Sequence, residues 1–120
     1  MFSNIFSTAR QVIENEKESL FINFQKNNRP SGLTYIKDHC VDYMFEAIKD
    51  DVFSAPESSK LIIKSISAEV IDYSDYDGVK LATIQYSSVL SIDGELEEVE
   101  EFWHFKYNGW SWLLAGIEQV

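Results

Sequence analysis

The sequence predicts an α+β fold: two N-terminal amphipathic helices packed on a curved, four-stranded antiparallel sheet in meander order. Three observations predict it. Apolar residues recur at spacings of three and four up to about residue 50, which places them on one helix face. Beyond residue 60 the period changes to two, and β-branched and aromatic residues dominate, as in strands with one buried face. Three pairs, Asp77-Gly78, Asp93-Gly94 and Asn108-Gly109, divide that second half. Glycine accepts positive φ at no steric cost and Asp or Asn tolerates it, so each pair suits a tight hairpin turn.

The first helix is expected over residues 4–27, with Phe6, Ala9, Ile13, Leu20 and Phe24 on its apolar stripe, Ile5, Val12 and Phe21 beside it, and Ser3 as N-cap. Asn27-Asn28-Arg29-Pro30 ends it, because proline disfavours helix in the residue before it. The second helix is expected over 32–50, capped by Ser31, with Leu33, Ile36, Cys40, Met44 and Ala47/Ile48 as its stripe. Val52–Lys60, with Pro56 and three serines, reads as a loop.

Strand alternation assigns the faces of the sheet. Val99, Trp103, Phe105 and Tyr107 share one face with Glu101, while Glu98, Glu100, His104, Lys106 and Phe102 share the other. In the last strand Trp110, Trp112 and Leu114 alternate with Leu113, Ala115 and Ile117. Both of its faces are apolar, so the strand is expected to be central or covered on both sides.

A chain of 120 residues suits one domain, 1–120, and buries roughly two-thirds of its unfolded surface. Its formal charge of −10 is uneven: residues 1–60 carry −2 and residues 61–120 carry −8. Nucleic-acid binding needs a basic footprint, and none is present. No run reaches the roughly 20 apolar residues of a membrane span, and the first residues do not read as a signal peptide. A single cysteine, Cys40, forms no intrachain disulfide. A cytoplasmic location is expected, or a membrane-peripheral one if the domain belongs to a longer anchored protein.

Candidate chemistry is sparse. His39 and His104 are the only histidines; His104 is expected beside the carboxylates of Glu98 and Glu100. Asp72, Asp75 and Asp77 with Gly78 lack the calcium-loop spacing, since position 84 is Ile where a bidentate Glu is needed. They read as an acidic hairpin turn. Five glutamates between 95 and 101 read as a solvated strand start, with a basic peptide as the functional alternative. Cys40 reads as a small core residue. No catalytic residue, metal site or cofactor is expected.

The stretch Val99–Tyr107, followed by Trp112–Val120, is similar to the end of the import-tether domain family. That family is named for the forty-four-kilodalton subunit of the mitochondrial inner-membrane translocase, and bacteria carry relatives. Glu101, Trp103, Phe105, Trp112, Leu114 and Ile117 fit its pattern of E-x-W-x-F, a short turn, then W-x-L-x-x-I. The resemblance implies a cone-shaped fold of the cystatin and nuclear-transport-factor-two kind, often with a hydrophobic pocket. It implies binding rather than catalysis. The expected function is to hold an apolar, lipid-like ligand or a partner-protein segment, with Trp103, Phe105, Trp112 and Glu101 as pocket candidates. The alternatives are a small isomerase or dehydratase using Glu101, and a homodimeric module pairing through Phe102, Leu113 and Ile117.

Overall fold

The first described turn of the chain shows how the sequence starts its helix. Thr8 Oγ accepts from the Gln11 backbone N–H at 3.1 Å, and the Gln11 side chain accepts from the Thr8 N–H at 2.9 Å. This reciprocal capping box satisfies two otherwise orphaned donors. Residues 8–54 and 60–120 are described by the computed structural model. The expected Ser3 cap, together with Ile5 and Phe6, lies outside them, as does Pro56.

Helix α1 spans Ala9–Asn27 and buries Ala9, Ile13, Leu20, Phe21 and Phe24. A short 3-10 turn, Pro30–Gly32, leads into α2, Leu33–Asp38, and then α3, Asp42–Ser54. The expected second helix is therefore two. Ser31 lies inside the 3-10 turn, and Gly32 takes the N-cap position without a side-chain bond. The break at Cys40 has a physical cause in the sheet. The Leu114 N–H donates to the His39 carbonyl at 2.8 Å, and the Val41 N–H donates to the Leu114 carbonyl at 3.0 Å, forming a one-residue parallel bridge between Cys40 and Leu114. These bonds satisfy backbone groups on the outer edge of the last strand, which a continuous helix would leave unpaired. The expected loop also begins later, because α3 carries Val52 and Phe53 and ends at Ser54.

The strands are β1, Leu61–Tyr76; β2, Val79–Ile92; β3, Glu95–Tyr107; and β4, Trp112–Gln119. They pair antiparallel in the order β1-β2-β3-β4, so β4 is an edge strand and not a central one. The first two connections are two-residue turns with positive φ at both positions: +55° and +81° at Asp77-Gly78, +51° and +88° at Asp93-Gly94. The third is longer. Asn108 Oδ1 accepts from the N–H groups of Trp110 and Ser111, both at 2.8 Å. Trp110 thus sits in the loop, 91% exposed, rather than in the fourth strand.

Irregularities in the ladder re-aim side chains. Phe105 pairs with Leu114 and His104 with Gly116, leaving Ala115 as an extra residue. An extra residue reverses the alternation beyond it. Ile117 consequently lies opposite Trp103 on the inner face, not on the outer face with Leu113. The dimer surface expected from Phe102, Leu113 and Ile117 loses Ile117 for this reason. In β1, shifts between Ile63 and Ser65 and between Val70 and Asp72 keep Leu61, Ile63, Ile66, Ala68, Val70 and Tyr73 packed on the core.

Helix α1 lies against the inner face. Trp112 Nε1 donates to the Ala9 carbonyl at 2.8 Å, and the Tyr86 hydroxyl donates to the Lys17 carbonyl. Phe21 sits at the centre, 4.9 Å from the Tyr86 ring and 5.1 Å from Trp103.

Candidate functional site

An apolar-walled opening lies where α1, α3 and the sheet fail to meet completely. The C-terminal part of α1 contributes Phe24 and Gln25, α3 contributes Met44 and Ile48, and the ends of β3 and β4 contribute Trp103 and Ile117. They enclose a groove of about 350 Å³, with Glu101 and Gln119 at its lip. Its geometry follows from two departures already described. The break at Cys40 sets α3 apart from α2, and the bulge at Ala115 turns Ile117 inward.

The four expected pocket residues divide into two pairs. Trp103 and Glu101 line the groove. Phe105 and Trp112 do not; each is almost fully buried, Trp112 being held by its bond to Ala9. Trp103 is itself only 2% exposed, so it forms a wall with its edge while most of the ring packs in the core. Glu101 Oε1 accepts from the Trp103 indole N–H at 3.1 Å, and Oε2 accepts from the Gln119 amide at 2.6 Å. The carboxylate therefore fixes the indole and ties the end of β4 to the groove. Both oxygens are occupied by donors, which suits a positioning group better than an acid ready to transfer a proton.

Sequence reasoning missed the residues α3 brings to the groove, because a single continuous helix would have aimed them elsewhere. It also missed the partners of His104. On the outer face, His104 Nε2 meets Glu118, and its Nδ1 lies 2.9 Å from the Thr83 hydroxyl. A carboxylate only accepts, so Nε2 donates to it, and in the neutral ring Nδ1 accepts from Thr83. The expected neighbours, Glu98 and Glu100, are not its partners. Glu118 lies diagonally across the β3–β4 ladder, since its own opposite residue is Phe102, a relation the bulge hides from simple counting. The order hydroxyl, imidazole, carboxylate is that of a nucleophile relay. Here the three side chains come from adjacent strands and satisfy one another across β2, β3 and β4, acting as a cross-strand clamp.

The remaining candidates are structural. His39 Nδ1 donates to the Tyr35 carbonyl at 2.7 Å, and its ring stacks on Tyr35 at 3.9 Å. Burial pushes the Cys40 thiol up to about 12, away from nucleophilic character. Asp75 pairs with Lys80 at 3.7 Å across the first hairpin. Among the described residues no group of three His, Cys, Asp or Glu side chains is placed to hold a metal ion, and no helix is long and apolar enough to cross a membrane. A wider recess of about 630 Å³ at the far end of the sheet is lined by serines and glutamates together with Ile66, Val89, Val99 and Val120.

No protein-family model matches the chain, and no curated protein matches it. Among solved structures, it is similar to the crystal structure of the intermembrane space region of the chloroplast protein ARC6. The TM-score is 0.61 at 14% identity, over 94% of this chain and 96% of that one. At that identity the likeness is one of fold.

Proposed function

We propose that this domain is a non-catalytic binding module that holds an apolar segment of a partner protein in the groove between α1, α3 and the β3–β4 end of the sheet. The observation that carries this reading is the groove itself: apolar walls from α1, α3, β3 and β4, with polar groups that include Asp51, Glu101 and Gln119. Such a site buries an apolar anchor and orients the backbone that carries it. The import-tether resemblance and the fold shared with the ARC6 region support a role in protein association, and the same groove would admit an acyl chain as the alternative occupant.

Fluorescence titration with Nile red, a neutral apolar probe, tests the site. Saturable binding is expected, and it should be lost in Ile48→Glu, whose charge would sit in the groove wall. Equal binding by the native protein and Ile48→Glu, at matched melting temperatures, would sink the assignment. Native mass spectrometry of the same sample separates the occupants: a released acyl mass identifies a lipid ligand, whereas an empty domain is expected for a peptide site.

A further inference from the structure

A second groove adjoins the first at Gln25 and differs in charge from the rest of the molecule. It is formed by α1, the Arg29 connection that follows it and β1, with a volume of about 420 Å³. Its floor is Ile22, Leu61, Ile63 and Ile66. Its rim carries Lys26, Arg29 and Lys64, and among the described residues no carboxylate lines it. The chain has only 10 basic residues against 20 acidic ones, so three cations without an acid among them are a marked local reversal. Among the described residues none of the three is in an ion pair, whereas Lys17, Lys49 and Lys80 each are.

The backbone adds a second argument. Among the described residues β1 is an edge strand paired only with β2, so its other side presents N–H and C=O groups unpaired by them. Those groups are what an incoming strand binds. The groove follows β1 from Leu61 to Ile66, about 20 Å of extended chain.

We infer that this groove takes an extended acidic segment of a partner protein, added as a strand along β1. Its apolar side chains would pack on Ile63 and Ile66, and its carboxylates would meet Lys26, Arg29 and Lys64. Added strands draw affinity from main-chain bonds and specificity from side-chain pockets; here the charge selects the partner. The site shares Gln25 with the groove at α3 but none of the α3 residues that line that one.

The test uses the full chain and a fluorescent peptide of about eight residues alternating Glu with Leu or Val, with a Lys-for-Glu version as its control. The acidic peptide is expected to bind, more weakly as salt rises, and the lysine version is not. The double variant Lys26→Glu/Arg29→Glu, at exposed positions, should bind about tenfold more weakly or worse. Ile48→Glu should leave this binding unchanged, so the two sites fail independently. Backbone amide shifts on titration should concentrate in residues 61–66. Equal affinity for both peptides, insensitivity to the charge reversal, displacement of the peptide by myristate at stoichiometric ratio, or shifts confined to α3 and β4 would each overturn the inference.

Discussion

Cys40 shows at the scale of one residue how burial becomes a measurable property. Desolvation raises its thiol from the ordinary 9.0 to about 12, so the native protein should not react with a thiol reagent until it unfolds. The sign of its pH effect follows. As pH rises through about 9, the unfolded chain loses a proton that the folded chain keeps, so this contribution to stability is whole below that pH and declines towards about 12. Urea midpoints should fall between about pH 8 and about pH 10 in the native protein, and fall less in Cys40→Ala. Ser88 makes the opposite case. Its hydroxyl is buried with no hydrogen-bond partner among the described residues, and an unsatisfied buried group costs about 1–3 kcal/mol. Ser88→Ala is therefore expected to leave stability unchanged or raise it by about 1 kcal/mol, measured by denaturant unfolding. Trp103 contacts Phe21, Phe24, Tyr86 and Phe105, so Trp103→Ala should cost about 3–5 kcal/mol. A loss of groove binding at unchanged stability would instead make it a pocket residue only.

At the scale of elements, turns were legible in the sequence and breaks were not. The pairs Asp77-Gly78 and Asp93-Gly94 carry their backbone requirement in their side chains, and the hairpins form there. Gly78→Ala meets no atom within 4 Å, so its cost is conformational alone, about 1–2 kcal/mol. Gly32 is constrained for another reason. A Cβ there would lie 2.2 Å from the Asn27 carbonyl oxygen, so Gly32→Ala should destabilise more than Gly78→Ala in the same thermal melt; the reverse order would contradict this packing. The helix break at Cys40 was invisible because apolar spacings of three and four run straight through it. Only the hydrogen bonds to Leu114, 74 positions later in the chain, decide it. The bulge at Ala115 was equally hidden, since strand parity read from one end assigns Ile117 to the wrong face. Both misreadings fall at the groove: the aromatic content of the site could be read from sequence, and its shape could not.

For the whole molecule, the charge count argued against nucleic acid as a partner class but concealed where the basic residues gather. A net of −10 describes the average surface, whereas the α1–β1 groove is locally cationic. Summed charge is a statement about solubility and long-range attraction, not about a particular face. The bond from Trp112 to the Ala9 carbonyl spans 103 residues, and its consequence reaches into the making of the protein. A ribosome releases α1 long before β4 exists. Until then the apolar face of α1 lacks both the indole that fixes its first turn and most of the sheet beneath it. Contacts so distant in sequence close late, because the loop entropy must be overcome before they reward it. The nascent chain therefore passes through a period in which an amphipathic helix waits exposed, the condition under which chaperones engage and aggregation competes.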